Sequence, residues 1–271
     1  MTHQYSTHRL LLFIGLLTLV ILSCQGATGA NPFATETSTS TLTPTPTSTP
    51  TFTPSPTLTP TKTPSPTPLP SGSMTKDQAD GSTLFIDYDN HYQLNIPPAW
   101  FVIPVNAEDI AETLERLEEA NPQFKKQAEA FARMDPDVIR VVALNQDTKY
   151  IVNGFATNLT VTAVEDPVMS SMPLDFVTGA VEESLKQQSA TLLPSEELAS
   201  ENRNGVEIGI IAFEQATFSA TGAKILAHST ILVFQANGKV VLIQVAVPKT
   251  LAGEILPVME QIRNTIKLLE S

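Results

Sequence analysis

The chain has 271 residues with 16 Lys and Arg against 28 Asp and Glu, which gives a formal net charge of −12. Only Arg9, Lys62 and Glu36 carry charge before residue 74, so residues 74–271 hold a net charge of about −13. Such an acidic surface is repelled by nucleic acid and by anionic lipid headgroups. The composition therefore excludes nucleic-acid binding and flat adsorption of the folded part on a membrane.

The N-terminal segment has the pattern of an export signal that ends at the only cysteine of the sequence. Residues 10–22 form an apolar or neutral run, too short for the roughly 20 residues that a bilayer-spanning helix needs. The sequence Ile21-Leu22-Ser23-Cys24 resembles a bacterial lipoprotein signal, which implies a signal peptide over residues 1–23 and a lipid on Cys24. An uncleaved membrane anchor and a secreted signal with a chance cysteine are the alternatives.

Lipidation of Cys24 would place the protein on the extracytoplasmic face of the cell membrane and would consume its only thiol. One acyl chain anchors a protein only marginally, whereas two or more give stable attachment. We therefore predict a lipid-anchored membrane protein with no thiol left for redox chemistry, catalysis or metal binding.

Residues 24–73 form a predicted disordered linker. Residues 33–71 are almost entirely Thr, Pro and Ser, with a ten-residue quasi-repeat over 41–70. This segment has no apolar stripe to bury, and its prolines favour an extended chain that could reach on the order of 100 Å. We interpret it as a passive spacer that suits O-glycosylation, with a proline-motif docking site as the alternative.

Residues 74–271 are long enough for one domain with its own core. The first part predicts a hairpin of residues 84–88 and 92–96 around Asp89-Asn90, a short strand at 101–103, and two helices within 105–137. A strand at 138–144, a loop at 146–154 and a half-buried strand at 157–164 follow. Pro173 then opens a helix with one apolar face: Leu174, Val177, Val181 and Leu185.

The last part carries the strongest strand pattern. Residues 196–202, 206–216, 224–236 and 239–247 predict an antiparallel meander with Asn-Gly turns at 204–205 and 237–238. The final helix should have a regular course from Pro257 onward, with these residues on one face: Ile255, Met259, Ile262, Ile266 and Leu269. Antiparallel strands in runs, with helices between and after them, indicate the α+β class with helices covering an antiparallel sheet.

The segment YQLNIPPAWF at residues 92–101 resembles the start of the PsbP/Mog1-like family. The resemblance covers roughly residues 84–269 and implies an α/β/α sandwich around an antiparallel sheet. Residues 105–137 depart from that pattern as a two-helix insertion. The family is similar in fold and diverse in function, so the resemblance implies no activity.

Catalytic and metal-binding patterns are weak throughout the sequence. His91 and His228 lie far apart in the predicted elements, and a zinc site needs three or four ligands. Asp87-x-Asp89-Asn90 offers alternating oxygen ligands, but turn chemistry explains it without calcium. We find no nucleophile elbow and no phosphate-binding glycine loop. The sequence thus predicts a non-catalytic protein without a metal or cofactor.

Two surfaces are candidates for binding. The insertion helices (107–134) and their acidic face are the leading candidate for contact with a protein partner, through Phe124, Phe131, Glu112, Glu115 and Glu119. The alternative is a small-ligand or envelope-glycan site in a pocket near Trp100, whose indole otherwise anchors the first hairpin. A hydrolase with a dispersed site is the third class.

Overall fold

The computed structural model describes residues 71–105, 115, 135, 137–193, 201–219 and 222–269. Cys24, the predicted linker up to residue 70 and the predicted insertion helices lie outside these residues, with Glu115 as the exception. Across the described ranges, no helix combines the length and the hydrophobicity needed to cross a membrane.

The described residues form fourteen strands and two α-helices. In chain order these are β1 (Ser73–Asp77), β2 (Thr83–Asp87), β3 (Tyr92–Ile96), β4 (Trp100–Pro104), β5 (Ile139–Asn145), β6 (Ile151–Val152), β7 (Phe155–Ala156), β8 (Asn158–Glu165), α1 (Leu174–Gln187), β9 (Thr191–Leu192), β10 (Glu201–Arg203), β11 (Val206–Phe218), β12 (Lys224–Ala236), β13 (Lys239–Pro248), α2 (Ala252–Thr265) and β14 (Lys267–Leu268).

A large antiparallel sheet has the strand order β10-β11-β12-β13-β8-β5-β4, with β9 paired to β11 beyond the end of β10. The predicted meander and its turns are confirmed over the described residues; residues 196–200 of its first predicted strand lie outside them, and β10 spans Glu201–Arg203. Asn204-Gly205 and Asn237-Gly238 all have positive φ, between 46° and 79°. This is the conformation that a tight two-residue hairpin turn demands and that Asn and Gly adopt at low cost.

A second, four-stranded sheet has the order β1-β2-β3-β14. The predicted hairpin of β2 and β3 is confirmed, and both strands alternate buried and half-buried side chains. The sequence analysis missed β1, because its segment Ser-Met-Thr-Lys-Asp lacks the apolar alternation of a strand with one buried face. It pairs with β2 at the edge of the sheet.

Helices and the small sheet cover the large sheet on both faces, which confirms the predicted α+β class. On one face, α1 buries the four side chains predicted for its apolar stripe against β11, β12 and β13. On the other face, α2 and the small sheet enclose the larger core with Phe85, Tyr92, Phe234 and Ile262 among its members.

Two predictions about these elements are wrong. The strand predicted at 157–164 is not half-buried: β8 lies between β13 and β5 and is covered on both faces, so six consecutive side chains are buried. The final helix starts at Ala252 rather than Pro257 and ends at Thr265. Ile266 is extended, because the chain leaves the helix there to pair β14 with β3.

Candidate functional site

A cleft lies between α2 and strands β11 and β12 of the large sheet. It is a shallow concavity of about 30 Å³ that opens to solvent. Three strand residues form its floor and four helix residues its wall: Ile210, Thr230, Leu232, Leu256, Met259, Glu260 and Arg263.

The register of the two strands and the helical period place these side chains together. Ile210 lies opposite Leu232 and Ala212 lies opposite Thr230, so residues two apart on β12 share the face that α2 covers. The four helix residues follow the i, i+3, i+4, i+7 spacing of one helix face. The cleft is therefore bordered by the flank of α2 that points toward β10.

Two buried polar side chains on this face lack a partner. Thr230 is 1% exposed and His228 is 8% exposed. Within the described part of the chain, neither Thr230 Oγ1 nor His228 Nε2 has a hydrogen-bond partner. Such groups are rare in native proteins, because a buried polar atom without a partner costs about 1–3 kcal/mol. Thr230 belongs to the lining of the cleft, whereas His228 lies two residues away on β12, outside that lining.

The charged residues of the cleft lining are paired with each other. Glu260 binds Arg263, and its other carboxylate oxygen lies 3.4 Å from Arg203. Outside this lining, Lys249 Nζ lies 2.7 Å from Glu214, which is the cross-strand neighbour of His228.

The environment of His228 favours the neutral imidazole. Burial lowers the pKa of His228, the positive charge of Lys249 lowers it further, and the carboxylate of Glu214 opposes both. A neutral imidazole has one nitrogen that donates a hydrogen bond and one that accepts. At neutral pH His228 therefore presents one donor and one acceptor nitrogen to its surroundings.

The acidic turn that the sequence offered as an oxygen-ligand pattern faces an arginine. Arg140 donates to both Asp87 oxygens, at 2.8 and 3.1 Å, and to Asp89 at 2.8 Å. Asp87 and Arg140 are 0% and 3% exposed, and they join β2 of the small sheet to β5 of the large sheet. Among the described residues, no three His, Cys, Asp or Glu side chains come together as a metal site would require.

The predicted binding residues lie elsewhere. Trp100 is 8% exposed and belongs to the larger core, which favours its packing role over an open stacking platform. It stands on β4, four strands away from β12 or roughly 19 Å at the usual strand spacing. Glu115 is helical and exposed. Glu112, Glu119, Phe124 and Phe131 lie outside the described residues.

The sequence did not indicate that His228 and Thr230 are buried on the α2 face of the sheet, nor that Thr230 lines the cleft. The alternation along β12 places both residues on the face of Leu232 and Phe234, so their burial could have been predicted from the sequence. The position of α2 over that face could not have been predicted, because it depends on long-range packing.

Neither a protein-family model nor a curated protein matches this chain. Among solved structures, cyanobacterial PsbP (CyanoP) from Synechocystis sp. PCC 6803 is similar with 11% identity and a TM-score of 0.40, over 73% of this chain and 93% of that one. LpqN, involved in cell envelope biogenesis of Mycobacterium tuberculosis, is similar with 9% identity and a TM-score of 0.39, over 73% and 91%.

A protein of unknown function from Pseudomonas aeruginosa is similar with 9% identity and a TM-score of 0.33, over 44% of this chain and 78% of that one. A likeness of this kind carries no activity from one protein to another.

Proposed function

We propose that the chain is a lipid-anchored protein of the cell envelope whose folded domain is a non-catalytic binding module. The cleft beside α2 is its ligand site. The observation that carries the proposal is the apolar lining of this cleft by Ile210, Leu232 and Met259, with the polar residues Thr230, Glu260 and Arg263 beside them. Convergent polar groups in an apolar concavity are typical of small-ligand sites.

The anchor is supported by the sequence around Cys24 and by the charge of the chain. A net charge of about −13 on residues 74–271 repels anionic headgroups, so the folded domain needs a tether to stay at the membrane. A lipid on Cys24 supplies that tether. The Thr/Pro/Ser-rich segment then carries the domain away from the bilayer surface.

Contact with a protein partner through residues 107–134 is the second candidate function. Its support is the exposed, helical Glu115 within an acidic run. A polar, acidic helix face would bind a basic surface on a partner protein. Such charge complementarity would raise the association rate more than the affinity.

Metabolic labelling with palmitate tests the anchor in the full chain. We expect wild type and Ser23→Ala to incorporate the label and to sediment with membranes, because a small residue before the cysteine is kept. Cys24→Ala should lose the label and leave the membrane fraction. A Cys24→Ala protein that stays membrane-bound would contradict the lipid anchor.

Native mass spectrometry of the full chain released from envelopes tests the binding role. We expect a co-purifying small molecule that Leu256→Asp abolishes, because a carboxylate at the mouth of the cleft disfavours an apolar ligand. Leu268→Asp is the matched control, since Leu268 is similarly exposed and lies on β14. A bound protein that survives salt, with no small molecule, would favour the second candidate instead.

A further inference from the structure

We infer that the corner between β13 and α2 is an acid-sensitive switch, in which a protonated His228 binds the Glu214 carboxylate in place of Lys249. The corner is the three-residue 3-10 turn Lys249–Leu251, which joins the end of β13 to the start of α2. The inference concerns this corner alone and does not depend on a ligand in the cleft.

The three side chains meet on the α2 face of the large sheet. His228 on β12 lies directly opposite Glu214 on β11 and Val247 on β13. Cross-strand neighbours have Cβ atoms about 4.5–5.5 Å apart, so their side chains can reach each other. Lys249 follows two residues after Val247, and its Nζ lies 2.7 Å from the same carboxylate. Glu214 therefore lies within reach of two basic side chains.

No other described charge competes for His228. The charged residues of α2 near this face are already paired with other side chains: Glu254 with Lys149, and Glu260 with Arg263. On β12 itself the nearest charged residue is Lys224, four residues or about 13 Å away. Among the described residues, the charges that act on the His228 imidazole are those of Glu214 and Lys249.

At neutral pH the carboxylate of Glu214 binds Lys249. The imidazole is then uncharged, because burial and the positive charge of Lys249 keep the pKa of His228 below its ordinary value. Within the described part of the chain, His228 Nε2 has no hydrogen-bond partner. No hydrogen bond at this nitrogen therefore has to break when the ring turns toward Glu214.

Protonation reverses the preference of Glu214, because the two cations differ in their access to water. His228 is 8% exposed, so an imidazolium there without a counter-charge would be strongly destabilising. The Lys249 side chain is 52% exposed and can return its ammonium group to water. An exposed ion pair contributes little to stability, so its loss is the smaller of the two costs.

The exchange releases the start of α2. Lys249 is the first residue of the turn, and its carbonyl accepts a hydrogen bond from the Ala252 amide, where the helix begins. Across the described ranges, the Lys249–Glu214 ion pair is the one that fastens this turn to the sheet. In acid the corner would lose this link, while the strands beneath it stay paired.

An NMR titration of the full chain in lipid nanodiscs tests the exchange, with isotope labels on histidine Cε1 and lysine Cε. His228→Gln and Lys249→Met assign the two signals. We expect the His228 signal to titrate below pH 6.5 and the Lys249 signal to shift with the same midpoint, because one event changes both side chains. In His228→Gln the Lys249 signal should stay constant over this range.

Two charge variants separate the exchange from an isolated titration of His228. Lys249→Met should raise the His228 midpoint, because it removes the competing cation, and Glu214→Gln should lower it, because the imidazolium loses its carboxylate. Lys149→Met is the matched control. Lys149 is exposed to a similar extent and pairs with Glu254 in the first turn of α2, so its loss should leave the midpoint unchanged.

Three results would overturn the inference. A Lys249 signal that stays constant through the His228 titration would mean that Glu214 keeps its lysine. An unchanged His228 midpoint in Glu214→Gln would mean that the carboxylate does not receive the imidazolium. Unfolding of the wild type before His228 titrates would mean that the folded domain contains no such switch.

Discussion

Gly209 on β11 lies so close beneath Thr178 of α1 that a Cβ atom at position 209 would overlap the Thr178 Cγ2 methyl. The helix therefore approaches the sheet at a point where only glycine fits. This contact sets the distance between α1 and the sheet face that it covers.

Gly209→Ala should destabilise the protein by about 1–3 kcal/mol, the usual cost of overpacking. In a Thr178→Ala background the same change should be nearly neutral, because the remaining neighbours of the new Cβ lie at 3.6 and 3.7 Å. Urea denaturation of the single and double variants measures the coupling. Gly179→Ala is the control: nothing lies near its Cβ position, and it should stabilise α1.

Arg140→Met should destabilise the protein by about 3–5 kcal/mol, because it leaves Asp87 buried without its counter-charge. Adding Asp87→Asn should recover part of that loss, since the amide needs no cation. Arg203→Met is the matched control. Arg203 is about one-third exposed, so this substitution should lower the stability of the protein by less than about 1 kcal/mol. Equal losses for the two arginine variants would contradict a buried bridge between the sheets.

As the pH falls below neutral, protonation of His228 should lower the free energy of unfolding. Burial lowers the pKa of the folded-state imidazole below its ordinary 6.5, so the unfolded chain binds the proton first as pH falls. The free energy of unfolding should therefore decline from about pH 6.5 down to the folded-state pKa. His228→Gln should flatten this slope in denaturation series at several pH values.

Ala99 adopts φ 70° between Pro98 and Trp100, in the region that favours glycine. A left-handed residue with a Cβ costs about 1–2 kcal/mol, and glycine adds about 0.5–1 kcal/mol of unfolded-state entropy. Ala99→Gly should therefore stabilise the protein by about 0.5–1 kcal/mol in thermal unfolding. The reverse type of change, Gly238→Ala at φ 73°, should destabilise it.

Local patterns predicted much of this fold. Two Asn-Gly turns, the apolar stripe of α1 and the alternation of β2 and β3 are encoded within a few residues of each other. The sequence did not reveal β1, whose polar segment is a strand because β2 offers it an edge. It also did not reveal that the chain leaves α2 at Ile266 to pair with β3.

The cleft was harder to predict than the elements that form it. His228 and Thr230 lie inside a long apolar strand, where a lone His or Thr carries no pattern of its own. The sequence likewise did not indicate that Arg140 pairs with the turn at Asp87 and Asp89, some fifty residues earlier in the chain. Each of these relations joins segments distant in sequence, and only the packing of α2 or of the two sheets creates them.

The position of β1 also determines how the domain would respond to mechanical load. Tension arriving through residue 71 acts first at Gly72, whose amide donates to Asp89 at 2.7 Å and whose carbonyl accepts from Tyr88 at 2.9 Å. The pair of Ser73 and Asp87 comes next, at the open end of the hairpin, so β1 would unzip one pair at a time. Because no side chain of β1 belongs to either large core, this strand could detach under load without disturbing the packing of those cores.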